Sequence, residues 1–308
     1  MYPGKITDVT GVLVGHAQNY DAMTGVTCVY FPNGATGGVD VRGGGPGTRE
    51  TDALQPGRLV DKVNAYVLSG GSAFGLDSAG GVMKAIEAKG EGYETGFAKV
   101  PIVPAAVLYD LGIGSATVRP DAAMGEAAFH ACSADCPQGI VGAGTGATAG
   151  KLSQGLQPFK SGIGTASMKL PGGATIGAIA AVNAVGDIYD SHTGALIGGA
   201  STPDGRMVSA ADMLFSLPAS EVSANTTIGV IATDAKLTRE QTNRLALLAH
   251  DGYAMAIRPV HMPMDGDTIF AAATGVYDAE FVLVCAYAAE VMARAVANAA
   301  YAAREQSK

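Results

Sequence analysis

At 308 residues, 48% hydrophobic and 16% charged, the chain is long enough to bury one large core or two ordinary ones. Its formal charge of -8, absence of tryptophan and 6% aromatic content offer neither a basic footprint nor base-stacking platforms, so no nucleic-acid or anionic-membrane partner is expected. No metal or cofactor is expected either: Cys132 and Cys136 lack a second pair, and His16, His130, His192, His250 and His261 fall at no ligand spacing.

Met1 to Val9 carries no basic segment followed by an apolar run, and no uncharged apolar stretch approaches the roughly 18 residues of a membrane span. A cytoplasmic protein is expected. Thr7 to Gly15, Gly25 to Phe31 and Gly37 to Val41 read as short strands between Gly, Asn and Asp turns. Arg42 to Arg49, with four glycines between two arginines, reads either as a loop that lets backbone approach a ligand or as a solvated turn. Asn64 to Leu68 is a strand. Gly70 to Gly75 opens a small-residue helix ending near Gly90, and Phe74 stands where a nucleophile elbow needs its last glycine. Pro101 to Leu108 is an apolar run closed by Tyr109 and Asp110, and Asp121 to Ala131 reads as a short helix. Val141 to Lys151 imitates a phosphate loop, but Thr145 replaces its first glycine and Leu152 its Ser or Thr. Nucleotide binding is rejected; what the segment supplies is Lys151 at the end of a glycine-rich turn.

Ala174 to Val185 is a long apolar run broken by one amide, Asn183. A buried amide finds partners or costs about 1 to 3 kcal/mol, and neighbouring backbone would suffice. Gly199 to Ala224 turns polar and reads as a long surface connection. It delivers the chain to Asn225, after which Thr226 to Ala235 has the length and β-branched content of a buried strand. Thr226 then has two readings. One is ordinary strand composition. In the other, its hydroxyl attacks the preceding carbonyl, passes through an ester and frees a threonine N-terminus. The α-amine of that terminus, with an ordinary pKa of about 7.7 to 8.0, serves as its own general base.

Thr238 to Gln241 is a capping-box pattern opening a helix with Leu245, Leu248, Ala249 and Met255 on its apolar side. Asp265 and Asp267 stand two residues apart at the entrance of a strand running to Ala273, and strand geometry would aim both carboxylates the same way; an acidic turn or plain hairpin is the alternative. Asp278 to Arg304 is an alanine-rich helix with Val284, Tyr287, Val291, Ala295 and Asn298 on one face. This succession supports one mixed α/β domain over residues 1–308.

A wider set of residues bears on Thr226. Asn225 to Ala235, Leu237, Asn243, Ala249 to Gly252, Asp265 to Phe270 and Ala273 to Gly275, with Ser69 to Gly75, Gly142 to Lys151 and Ala180 to Gly186, resemble the self-processing L-aminopeptidase/D-esterase and β-peptidyl aminopeptidase family, which includes nylon-oligomer endo-hydrolases. The resemblance covers nearly the whole chain. It implies a four-layer αββα sandwich of the N-terminal-nucleophile-like type, self-cleavage into residues 1–225 and 226–308, and hydrolysis of amide bonds in small peptides, amino-acid amides or esters, or oligoamides. Carried over residue by residue, it makes Thr226 the nucleophile and Asn225 the residue on the leaving side of the cut. Asp265 and Asp267 become the pair that orients and supports the nucleophile, Asn183 the oxyanion donor, and Lys151 and Tyr109 further lining residues. It also implies a homo-oligomer, a tetramer of cleaved protomers. Where the aminopeptidase branch carries Ser at the nucleophile and at the first acid, this chain has Thr226 and Asp265, which places it nearest the nylon-oligomer branch. The competing readings are an acyltransferase like the ornithine acetyltransferases, in which an amine intercepts the acyl-enzyme, and an unprocessed relative without catalysis.

Overall fold

Nine strands join in one sheet in the computed structural model, which describes residues 1–152, 156–213 and 225–307. They are β1 Leu13–Asn19, β2 Thr24–Val41, β3 Thr48–Arg49, β4 Lys62–Ser69, β5 Ala105–Val107, β6 Ile163–Lys169, β7 Thr175–Asn183, β8 Thr226–Ala235 and β9 Thr268–Tyr277. Their order across the sheet is β6-β7-β8-β9-β2-β4-β5-β3, with β1 also on β2. The polar connection expected over Gly199 to Ala224 lies outside the described residues from 214 onward.

One long strand turns this sheet into two layers. The first part of β2 pairs with β1 and β4, its last six residues pair with β9, and its ladder to β4 shifts register between Tyr30 and Ala35. Gly25 to Phe31 and Gly37 to Val41, expected as separate strands, are therefore the two ends of one, and Pro32 to Gly34 form an irregularity inside it rather than a turn. The two halves face each other. Val29, Phe31 and Leu68 from one half pack with Ile179, Val230 and Phe270 from the other. Tyr66 spans the gap, its ring stacked on Phe270 with centroids 4.6 Å apart and its hydroxyl donating to the Ala271 carbonyl at 2.7 Å.

Helices cover both outer faces. On one side α1 Ser78–Ala88 and α2 Ala122–His130 bury Val82, Ile86 and Phe129 against Val26, Cys28 and Val67. On the other, α3 Arg239–Ala256 and α4 Phe281–Gln306 bury Leu245, Val291 and Met292 against Ile176, Ile231 and Ile269. Three apolar cores thus separate four layers, the αββα sandwich that the resemblance implies. The small residues are what let the helices sit so close: a Cβ on Gly164 of β6 would meet the Ala295 carbonyl of α4 at 2.2 Å, and one on Gly252 of α3 the Ala289 carbonyl at 2.3 Å.

The capping box is present as read. Thr238 Oγ1 accepts from Gln241 N–H at 3.2 Å and Gln241 Oε1 from Thr238 N–H at 3.0 Å. Asn243, one turn on, accepts from Val39 N–H at 3.1 Å and donates to the Leu54 carbonyl at 3.0 Å, tying α3 across β2. Met255 does not share the apolar face: it is exposed, because ten residues beyond Leu245 a helix has turned well off the stripe that Ala249, Tyr253 and Ala256 continue. By length and composition α4 could cross a bilayer, yet Val284, Val291 and Val296 along it are buried in the core it shares with α3 and the sheet. Other boundaries differ too. Thr7 to Gly15 opens with a 3-10 turn, Ile6–Asp8, before β1; Pro101 to Leu108 pairs only over Ala105–Val107; and β6 was not anticipated.

Candidate active site

Thr226 is the first residue of β8, which lies between antiparallel β7 and parallel β9. The register sets Asn183, the last residue of β7, directly opposite it. Side chains alternate along a strand. Ile228, Val230 and Ala232 point between the sheets, as do Ile179 and Ala181 of β7, so Thr226 and Asn183 share that inner face. Strand geometry alone thus brings a hydroxyl and an amide together at one edge of the inter-sheet core.

The hydroxyl sits beside the carbonyl that precedes it. Thr226 is 5% exposed, and its Oγ1 donates to the Asn225 carbonyl oxygen at 2.5 Å. That oxygen also accepts from Gly266 N–H at 2.9 Å. Asn225 pairs with Asp265 in an isolated parallel bridge, which places the Met262-to-Gly266 turn alongside the bond. A Cβ on Gly266 would lie 2.7 Å from Thr226 Oγ1, so only glycine leaves room for this approach. A hydroxyl oxygen, the carbonyl that precedes it, and an N–H donated to that carbonyl's oxygen are therefore in one place.

The two acids flank this bond but have separate partners. Asp265 Oδ2 accepts from Met262 N–H at 2.8 Å, while its Oδ1 is buried with no hydrogen-bond partner among the described residues. Asp267 Oδ1 accepts from Thr227 N–H at 2.7 Å, and its Oδ2 faces His261 Nδ1 at 2.8 Å. β9 begins only at Thr268, so the two carboxylates are not simply aimed together by a strand. Burial, reinforced by Asp267, pushes Asp265 up to about 6; Met262 N–H, His261 and Lys151 pull the other way.

The glycine loop from Arg42 to Arg49 proves to be the support of this turn. Gly45 N–H donates to the Asp265 carbonyl at 2.8 Å and Arg42 N–H to the Asp267 carbonyl at 3.0 Å. The Arg42 guanidinium is held by Asp40 at 2.8 Å. The tip of the loop, Gly44 to Pro46, is solvent-exposed as in a solvated turn, while its base packs backbone on backbone. A Cβ on Gly43 would meet the Asp265 carbonyl oxygen at 2.1 Å and the Asp267 nitrogen at 2.5 Å. Gly43→Ala is accordingly expected to cost about 1 to 3 kcal/mol and to slow any reaction at Thr226, whereas Gly112→Ala, with nothing within 4 Å, should be nearly neutral. Urea unfolding of the two variants, with their activity, checks this.

Asn183 is held from three sides. Its Oδ1 accepts from Lys151 Nζ at 2.7 Å and Thr148 N–H at 3.1 Å, and its Nδ2 donates to the Tyr109 carbonyl at 2.8 Å. The Thr148 N–H and the Tyr109 carbonyl fix which side-chain atom is oxygen, because a backbone N–H can only donate and a carbonyl can only accept. One Nδ2 hydrogen remains for another acceptor. Tyr109 enters through its backbone rather than its ring. Gly150, at φ +72°, makes the turn that sets Lys151 N–H on the Val185 carbonyl at 2.8 Å. Burial lowers the Lys151 ammonium to about 7 and Lys160 to about 8, with Asp110 pulling both back up and Asp265 also raising Lys151. Asp110 itself is buried, accepting from Gly71 N–H and Thr24 Oγ1 at 2.7 Å each. Among the described residues no group of three or more His, Cys, Asp or Glu side chains could hold a metal ion.

Sequence reasoning passed over Gly266, Thr148, Lys160 and His261. Gly266 stands between Asp265 and Asp267, where a glycine between two acids marks a close approach. The signal for His261 is its place six residues before Asp267 rather than any metal-ligand spacing.

A sheet folded on itself between helix layers, with a hydroxyl at the head of a central strand against its own upstream carbonyl, is the setting of an amide hydrolase. The chain belongs to peptidase family S58, whose model matches residues 4–307. It is 46% identical over 287 residues to an uncharacterized aminopeptidase of Mycobacterium tuberculosis, covering 88% of this chain and 81% of that one. It is 36% identical over 277 residues to a 6-aminohexanoate-oligomer endohydrolase of Kocuria sp., covering 88% and 75%. In fold it is similar to the L-aminopeptidase D-Ala-esterase/amidase of Ochrobactrum anthropi, described as a new variant of the Ntn hydrolase fold, with a TM-score of 0.71 at 22% identity over 97% of this chain and 86% of that one.

Proposed function

We propose that the protein matures by cutting its own chain between Asn225 and Thr226, and that the freed Thr226 is the nucleophile with which it hydrolyses amide bonds of small peptides, amino-acid amides or esters, or oligoamides. The observation that carries this is the placement of Thr226 Oγ1 and Gly266 N–H on one and the same carbonyl oxygen, that of residue 225. In the first step Oγ1 bonds to the carbonyl carbon of Asn225 and gives up its proton. The C–N bond then breaks, and the departing Thr226 nitrogen takes a proton, leaving an ester. Water hydrolyses the ester, ending the long fragment in the Asn225 carboxylate and starting the short one with a free threonine.

In turnover the substrate carbonyl takes the place that residue 225 vacates. Thr226 Oγ attacks it while the α-amine accepts the proton and later passes it to the leaving amine. Gly266 N–H and the spare Asn183 Nδ2 hydrogen are the donors for the oxyanion. Asp265, with one oxygen unpartnered among the described residues, is the counter-charge for the ammonium, and Asp267 holds the backbone one residue on. Residues 1–225 and 226–308 together remain the one folded unit, and the tetramer of cut protomers belongs to the same proposal, to be read by light scattering.

The cut is tested by mass. Purified protein should separate under denaturing conditions into fragments of residues 1–225 and 226–308, the second beginning Thr-Thr-Ile-Gly. One intact, active chain after prolonged incubation would sink the proposal.

A further inference from the structure

His261 stands next to the proposed machinery without a part in it. Its backbone lies at φ +56°, in the left-handed region that glycine favours and asparagine tolerates better than most side-chain-bearing residues. A residue held there against its preference marks a place worth explaining. Its Nδ1 is 2.8 Å from Asp267 Oδ2, and its backbone N–H reaches the same oxygen at 3.2 Å. The other oxygen, Oδ1, accepts from Thr227 N–H at 2.7 Å. Since both carboxylate oxygens already accept backbone N–H, Nδ1 carries the ring proton and donates it. His250 and Tyr253 clamp the ring, with centroids 4.9 Å and 6.3 Å away. Asp267 is 1% exposed, so bulk water does not compete for it.

We infer that His261 is a positioning residue of this hydrolase: its Nδ1–H locks the Asp267 carboxylate, whose other oxygen holds the Thr227 N–H and so fixes where Thr226 sits. Without that donor, Oδ1 keeps the Thr227 N–H and Oδ2 keeps only the longer 3.2 Å contact to the His261 N–H, so the carboxylate is held less firmly about its Cβ–Cγ bond. Thr227 is covalently joined to Thr226, so any slack at its N–H is passed to the attacking hydroxyl. A displacement of about 1 Å at a reacting atom costs on the order of 10²-fold in rate. The inference rests on Thr226 being the nucleophile.

Two substitutions separate the donor from the backbone. His261→Gly keeps the left-handed conformation and removes the donor; His261→Asn keeps the conformation and returns an N–H near the place of Nδ1. His261→Gly is expected to slow both self-cleavage and kcat by about 10²-fold with KM changed less than about threefold, and His261→Asn to recover most of that loss. Folded Gly and Asn variants that turn over alike, or a Gly variant equal to the wild type, would overturn the inference. Should His261→Gly not fold, a folded His261→Asn decides alone: near wild-type turnover upholds the inference, and the full loss overturns it. Uncut Thr226→Ala protein labelled at histidine gives a readout free of catalysis, an exchange-protected low-field imidazole N–H signal that disappears on Asp267→Ala. If the wild type neither cuts nor hydrolyses, the nucleophile reading fails whatever that signal shows. If the wild type does both and His261→Gly matches it, only the positioning role fails.

Discussion

Thr226→Ala is expected to leave one uncut chain of 308 residues and to lower amide hydrolysis by at least about 10³-fold, because in the proposed mechanism the same oxygen serves both steps. Thr226→Ser and Thr226→Cys keep an attacking atom on Cβ and should still cut, more slowly, since the lost methyl loosens the rotamer that holds the oxygen at the carbonyl. The neighbouring threonine supplies the control. Thr227 is 1% exposed, and its hydroxyl is buried without a hydrogen-bond partner among the described residues. Thr227→Val, which replaces that hydroxyl by a methyl, should therefore leave cutting intact and match or exceed the wild type in stability. Intact mass and an amide-hydrolysis assay read all four variants. If Thr227→Val is the one that fails to cut, the nucleophile has been placed one residue too early.

Asp265→Asn should change both stability and the pH profile, in opposite senses for the uncut and the cut protein. In the uncut chain the Asp265 carboxyl is raised to about 6, against an ordinary value of about 3.9. Below about pH 4 folded and unfolded chains both hold the proton. As pH rises from there the unfolded chain ionises first, and stability falls until pH passes about 6, a total of roughly 3 kcal/mol. A Thr226→Ala, Asp265→Asn double variant should then match Thr226→Ala alone near pH 4 and exceed it by about 2 to 3 kcal/mol at pH 7 and above, as urea unfolding would show. In the cut protein the same charge favours the ammonium of Thr226, so Asp265→Asn should move the acidic limb of the activity profile to lower pH. It should also lower the maximum rate about 10²-fold, or roughly 2.7 kcal/mol of transition-state stabilisation. An unchanged limb with an unchanged maximum would leave Asp265 a role in the fold alone.

What could be read from the chain follows from how local each signal is. The capping box at Thr238 and Gln241 and the strand from Thr226 are written in consecutive residues, and both stand within a residue of where they were expected. The continuity of β2 is not local: Pro32, Asn33 and Gly34 carry turn chemistry, and only pairing with β4 and β9 on either side keeps the strand running through them. β6 escaped notice because Gly164, Thr165, Ala166 and Ser167 are small or polar, and its burial comes from α4 lying directly on it. The same divide runs through the site. Asn183 declared itself as the one amide in an apolar run. Tyr109 came only with the resemblance, and its own side chain gave no sign, since what it contributes is a carbonyl, which every residue type has. Gly43 and Gly266 act by what they lack, and that is visible only once the atoms they make room for are in place.

β8 is an inner strand, flanked by β7 from the segment before residue 226 and by β9 from the segment after it. A cut at its head frees two chain ends without freeing either piece, because residues 226–308 carry two inner strands and both helices of one layer. Reassembly is another matter. In an uncut chain folding is a first-order event in which β7 and β8 are joined by their own tether; if the proposed cut occurs, they would have to meet by diffusion, and regain of structure would become second order and dilution-sensitive. The molecule would thus fold as one polymer and live as two, held native by the slowness of its unfolding rather than by ready return from the unfolded state.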